Sequence, residues 1–224
     1  MKKTYLLCAV FAAVVSAPVF AEPSSLVAFD KATRALLKAA DPARGKAIAK
    51  EINCAKCHGE AGISEDPDEA NIAGQMASYA FKQLMDYKSE HRENRRMRRR
   101  IKDLEAPQMA DLAAYFASLP RPPSENAEKA TAETLRLVFK GDPKRMIKPC
   151  ASCHGRDGLG GKHDSATLVG LRRNYFVATM IAFQEEERVN DIYSRMRVIA
   201  AALTEEEIEA LADYYAAKDP EADF

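Results

Sequence analysis

The chain has 224 residues, with 33 Lys and Arg against 33 Asp and Glu, so its formal charge is zero. Its 29% charged and 47% hydrophobic residues describe a folded chain of one or two domains and exclude an intrinsically disordered one. Ten Gly and eleven Pro exclude collagen-like and low-complexity architectures, and overall neutrality excludes general nucleic-acid binding through net charge.

The N-terminus reads as an address. Lys2 and Lys3 form a positive start, an apolar run follows from Tyr5 to Val15, and Ser16-Ala17-Pro18-Val19-Phe20-Ala21 ends in the small residues a signal peptidase reads. Residues 1–21 are therefore expected to be a secretory signal peptide cleaved after Ala21, with Cys8 discarded alongside it. The apolar run is short for a membrane span of roughly 20 residues. The mature chain is expected to be exported and soluble, in the periplasm of a bacterium with two membranes. Cleavage removes two lysines and no acids, leaving a net charge of about −2.

Asp41 followed by Pro42 marks a helix start, an N-cap acceptor before a proline at the first helical position. That helix leads through Ile48 into Cys54-Ala55-Lys56-Cys57-His58. Cys150-Ala151-Ser152-Cys153-His154 repeats the pattern 96 residues later. Both segments read C-x-x-C-H, the attachment motif for c-type haem. Two thiols on one helical turn can each add to a vinyl group of one haem, and the adjacent His supplies the proximal nitrogen to the iron. A thioredoxin-like dithiol lacks its βαβ context here, and a shared zinc site would need pairs much closer in sequence. Two disulfides would leave the histidines unexplained.

The similarity extends along the chain at the same offset. Gly59-Glu60-Ala61-Gly62 matches Gly155-Arg156-Asp157-Gly158, and Ile72-Ala73-Gly74-Gln75 matches Leu168-Val169-Gly170-Leu171. Helical patterns follow at Tyr79, Phe81, Leu84, Met85 and Tyr87, and at Tyr175, Phe176, Met180 and Phe183. Each copy closes with another helix, Asp111 to Phe116 and Ala210 to Tyr215, the second opened by the capping box Thr204-Glu205-Glu206-Glu207. Strand-like alternation is absent. The expected architecture is all-α: a first domain over 22–119, a Pro-rich linker over 120–126 and a second domain over 127–224, each wrapped around a covalent haem.

A haem iron with a proximal His has one axial position left, and methionine is its usual occupant in small electron-transfer cytochromes. Met97 and Met196 each precede a corresponding leucine of the closing helix, Leu112 and Leu211, by 15 residues. They are the expected ligands opposite His58 and His154. Met76, Met85, Met109, Met146 and Met180 read as core filling. His91 is the alternative to Met97; His163 lies too near its own motif.

On these motifs, with Ala73-Gly74-Gln75, Lys82-Gln83-Leu84, Arg188-Val189-Asn190-Asp191 and Asp111 to Phe116, the mature chain resembles the diheme cytochrome c4 family. The resemblance implies two cytochrome c domains with His/Met-ligated haem in a periplasmic electron carrier that donates to terminal oxidases. The second copy departs from it in having Leu171-Arg172 after Gly170. The first copy departs in the stretch from His91 to Arg100, where six arginines occupy the nine positions from Arg92 to Arg100. That stretch reads either as a solvated loop, with one or two arginines pairing to haem propionates, or as a docking patch for an acidic partner.

The leading reading is a carrier of single electrons between redox protein partners, with a quinol-oxidising complex or a dehydrogenase as donor and a terminal oxidase as acceptor, peripheral to the inner membrane. Nucleic acid is not an expected partner. The alternatives are a diheme enzyme with one open or labile haem acting on a sulfur oxyanion or peroxide, and the electron-accepting subunit of a dehydrogenase complex.

Overall fold

A computed structural model describes residues 23–124 and 130–218. The expected signal peptide over 1–21 and residues 125 and 126 of the expected linker lie outside the described residues. In the first half of the chain, α1 (Lys31–Lys38) is capped by Asp30, whose carboxylate accepts from the Thr33 amide at 2.9 Å. Helix α2 (Pro42–Glu51) starts as the sequence suggests, with Asp41 as N-cap and Pro42 at its first position. A single turn, α3 (Ala55–His58), carries the first haem motif. Helices α4 (Ala77–Lys88), α5 (Arg95–Ile101) and α6 (Ala106–Ala117) complete this half.

The second half repeats the plan with α7 (Ala132–Phe139), the motif turn α8 (Ala151–His154), α9 (Arg173–Gln184), α10 (Arg195–Ala202) and α11 (Glu205–Ala217). Among the described residues there is no β-strand, only an isolated bridge between Asp142 and Ile147. The capping box at Thr204 forms as expected: its hydroxyl accepts from the Glu207 amide, and the Glu207 carboxylate accepts from the Thr204 amide at 3.0 Å.

Each half has its own apolar core because each closing helix presents a matched stripe. Met109, Leu112, Ala113 and Phe116 in α6 are spaced i, i+3, i+4, i+7, as are Ile208, Leu211, Ala212 and Tyr215 in α11. The first stripe packs with Phe81 and Ile101, the second with Leu137, Val138 and Phe176. Helices α2 and α6 approach closely at Gly45, where an added Cβ would fall 2.0 Å from the Asp111 carbonyl oxygen.

The halves meet through loops and polar side chains. The linker does not stand off as a spacer: Arg121 packs against Gly74, and the buried Pro122 packs against Gly170. Gln75 pairs with the Thr167 backbone in both directions, at 3.0 and 2.8 Å, and Asn71 donates to the Gly170 carbonyl at 2.8 Å. Deeper in the seam the buried Lys82–Asp86 ion pair reaches across. Lys82 donates to the Asn190 carbonyl at 2.5 Å, and the Asn190 amide donates to Asp86 at 2.6 Å.

Candidate functional site

The two C-x-x-C-H segments fold into the same turn. His58 and His154 amides donate to the Cys54 and Cys150 carbonyls at 3.1 and 2.9 Å, closing one helical turn around each pair of thiols. The loops that follow also match bond for bond. Ile72 and Ala73 amides donate to the Gly62 carbonyl, and Leu168 and Val169 amides to the Gly158 carbonyl.

These loops set the imidazoles. The Nδ1 of His58 donates to the Ala70 carbonyl at 2.9 Å, and that of His154 to the Ala166 carbonyl at 2.8 Å. A carbonyl can only accept, so Nδ1 carries the proton and Nε2 keeps its lone pair. Burial lowers the pKa of His154, holding that ring neutral. Both carbonyls lie 12 residues beyond their histidine. Sequence reading missed them because a backbone acceptor leaves no mark on residue identity; the repeated Ala at one register of the 96-residue repeat is the signal that was there.

Cys54, Cys57, His58 and Met97 line one cavity of about 680 Å³. Met97 sits in α5, whose N-cap Asn94 accepts from the Met97 amide at 3.0 Å. Cys150, Cys153, His154 and Met196 line a second, narrower cleft of about 90 Å³. There Asp191 accepts from the Met196 and Arg197 amides at 2.9 and 3.0 Å. His154, Phe176 and Met196 belong to the walls of both, so the two spaces meet at the seam between the halves. Met180, read from sequence as core filling, packs in the second core and also lines both spaces. His91 is bonded to the Ser89 hydroxyl at 2.9 Å, and His163 stacks near Phe29 at 5.0 Å; neither contributes to the cavity walls.

The seam adds an exchange that the sequence does not announce. Arg92 lies over the ring of Tyr87, in its own half, and donates to the Tyr175 hydroxyl of the other half at 2.9 Å. Arg188 lies over the ring of Phe183 and donates to the Tyr79 hydroxyl at 3.1 Å. The arginines and the tyrosines are each 96 residues apart, so the halves swap one contact of the same kind. This corrects the expected docking patch in two respects. Arg92 points inward and is not part of an exposed surface, and Arg95 onward forms helix α5 rather than a loop, because Asn94 caps it and Met97 and Ile101 face inward. Arg96, Arg99 and Arg100 stand at the rim of the first cavity.

This donor set fits haem: two thiols on one turn, an imidazole with Nε2 available, a thioether in the same cavity, and mostly apolar walls. In the second cleft the buried Tyr215 lines the wall beside Cys150, and burial raises the pKa of its hydroxyl and keeps it protonated. Fold and sites together define a c-type cytochrome, all-α, with two tandem cytochrome c domains and two covalently attached haem c groups.

The comparisons agree. The cytochrome c family profile matches residues 42–120. The sequence is 34% identical over 176 residues to cytochrome c4 of Thiocapsa roseopersicina, covering 78% of this chain and 91% of that protein. It is 31% identical over 177 residues to a thiosulfate dehydrogenase electron acceptor of Stutzerimonas stutzeri strain A1501, covering 77% and 82%. Reduced recombinant cytochrome c4 from Pseudomonas stutzeri superposes with a TM-score of 0.74 at 29% identity, over 80% of this chain and all of that one. The chain belongs to the cytochrome c4 family.

Proposed function

We propose that the protein carries single electrons between respiratory partners in the periplasm, receiving them from a quinol-oxidising complex or a dehydrogenase and passing them to a terminal oxidase. In this reading residues 1–21 are the cleaved export signal. The domains are 22–119 and 127–224, joined by 120–126. Cys54 and Cys57 attach one haem and Cys150 and Cys153 the other, with His58 and Met97, and His154 and Met196, as axial ligands. Each haem supplies a reversible one-electron Fe(III)/Fe(II) couple. The chain's part is to hold each imidazole at one orientation through Ala70 and Ala166, to present each methionine from a capped helix, and to exclude water with apolar walls.

What carries the reading is the matched lining of the two cavities, a histidine and a methionine in each. With a histidine and a methionine to hold each iron, a bound haem would have no position left for a small substrate. The test is the optical spectrum of the reduced, haem-quantified protein with and without carbon monoxide. Two haems per chain and an unchanged spectrum are expected; a shift in one haem would overturn the carrier reading in favour of an enzyme with an open site. Met97→Leu should open the first haem alone and Met196→Leu the second, each seen as carbon monoxide binding to one haem of two.

A second reading, the electron acceptor of a dehydrogenase complex, draws support from the relative so named in S. stutzeri. A dehydrogenase that co-purifies with the native protein and reduces it at substrate-limited rates would decide for it.

A further inference from the structure

We propose that the exposed face of α5 is a docking surface for an acidic protein carrying a one-electron redox centre. Five of the seven residues of α5 are arginine. That sequence works against its own helix. Arg95 and Arg99, and Arg96 and Arg100, are like charges one turn apart, and Arg95 and Arg96 stand at the positive end of the helix dipole. All five side chains are exposed. Arg96 pairs with Glu69 at 2.6 Å, Arg98 pairs with Glu90, and Arg100 donates to the Ile52 carbonyl at 3.3 Å. Arg95 and Arg99 have no carboxylate partner among the described residues.

The second half shows that presenting a methionine needs none of this charge. In α10 the arginines flanking Met196 are balanced, Arg195 by Asp164 at 2.5 Å and Arg197 by Asp191 at 2.8 Å, and the helix continues as Val198, Ile199 and Ala200. The same structural task is done in α10 with both arginines balanced and in α5 with arginines left unbalanced, so presenting the methionine does not require the surplus charge of α5. A seven-residue helix is about 10 Å long, a compact target. Arg96, Arg99 and Arg100 also rim the first cavity, so an acidic protein docked on α5 is brought against the first haem. A lipid surface in that position would cover the site and supply no electron acceptor. Each encounter transfers one electron, one partner losing it and the other gaining it. The inference rests on the carrier reading, but fails separately from it.

The test uses the reduced, full-length holoprotein and an acidic blue-copper protein, oxidised plastocyanin, as the probe in stopped-flow mixing. The rate constant should fall about tenfold as salt rises from about 10 to about 200 mM. Arg95→Gln with Arg99→Gln should slow the low-salt reaction about fivefold and flatten the salt dependence. Lys140→Gln with Lys144→Gln, the same charge change on the second half, should alter it less than about twofold. Amide shifts of the labelled protein on adding the probe should cluster on α5. Equal slowing by both pairs, indifference to salt, or shifts clustered elsewhere would overturn the proposal. So would binding to phosphatidylglycerol-containing vesicles that the arginine pair abolishes while the plastocyanin rate stays unchanged, which would assign α5 to a membrane. Carbon monoxide binding to the first haem would sink the carrier reading and leave the docking result standing.

Discussion

Helices α4 and α9 occupy the same place in the two halves and are built for different purposes. In α4 the buried positions include Lys82, Gln83 and Asp86; 96 residues on, α9 has Ala178, Thr179 and Ala182. The polar work of the seam is thus done from one side. Lys82, Gln83 and Asp86 reach out to Asn190 and Arg188, and α9 answers chiefly with the Tyr175 hydroxyl. A repeat can keep its fold while one copy is recruited to hold the other, because a buried ion pair tolerates burial only when fully bonded, and here the second copy supplies the bonds.

The sharpest way to break this comparison is Asp86→Ala. Lys82 and Asp86 are 1% and 0% exposed, so the variant strands a buried ammonium. The expected loss is about 3–5 kcal/mol, read as a lower denaturant midpoint. Lys82→Met with Asp86→Leu, which makes α4 more like α9, should recover part of that loss, limited by Asn190 and Ser25, which lose their bonds to Asp86. If Asp86→Ala alone costs nothing, the seam is not organised around this pair.

Gly45→Ala comes next. Its Cβ would collide with the Asp111 carbonyl, and overpacking of this kind costs about 1–3 kcal/mol. The effect should be confined to the first half, leaving the unfolding of the α7–α11 core unchanged. Smaller again is Thr204→Ala, which removes the cap of α11 and should cost about 1 kcal/mol. A midpoint unchanged by that variant would mean the capping box adds nothing beyond the α11 stripe.

The smallest effect is one of pH. Arg44 donates to both carboxylate oxygens of Asp111, and with the Asp41 amide this lowers the Asp111 pKa below its ordinary value. A lowered folded-state pKa contributes stability above the unfolded value, near 3.9, that is lost as pH falls through the folded value. The stability difference between the protein and Asp111→Asn should therefore shrink as pH drops from about 6 to about 3. Arg44 is more than half exposed, so solvent screens the interaction. A difference that stays constant over that range would show that the pair does not titrate as described.

Legibility followed locality. The haem turns, the helix starts at Asp41 and Thr204 and the closing stripes all lie within one or two helical turns of sequence, and each was readable there. That Met97 shares a cavity lining with the first motif, and Met196 with the second, was foreshadowed at longer range only because the repeat supplied two matched instances. Arg92 was misread with its neighbours: a run of arginines looks alike in one dimension, and what separates Arg92 from Arg95 is Tyr175, 83 residues away.

The sequence by itself determined the chemistry and the repeat. C-x-x-C-H states its chemistry within five residues, and a 96-residue self-similarity is a property of the chain alone. The tertiary structure alone decided how the halves use each other: the Lys82–Asp86 pair bonded to Asn190, the exchanged Arg92–Tyr175 and Arg188–Tyr79 contacts, the linker seated on Gly74 and Gly170, and the carbonyls of Ala70 and Ala166 that turn the imidazoles. The physical reason is common to all of them. A backbone acceptor or a distant hydroxyl acquires its role from position in space, and no residue type records it.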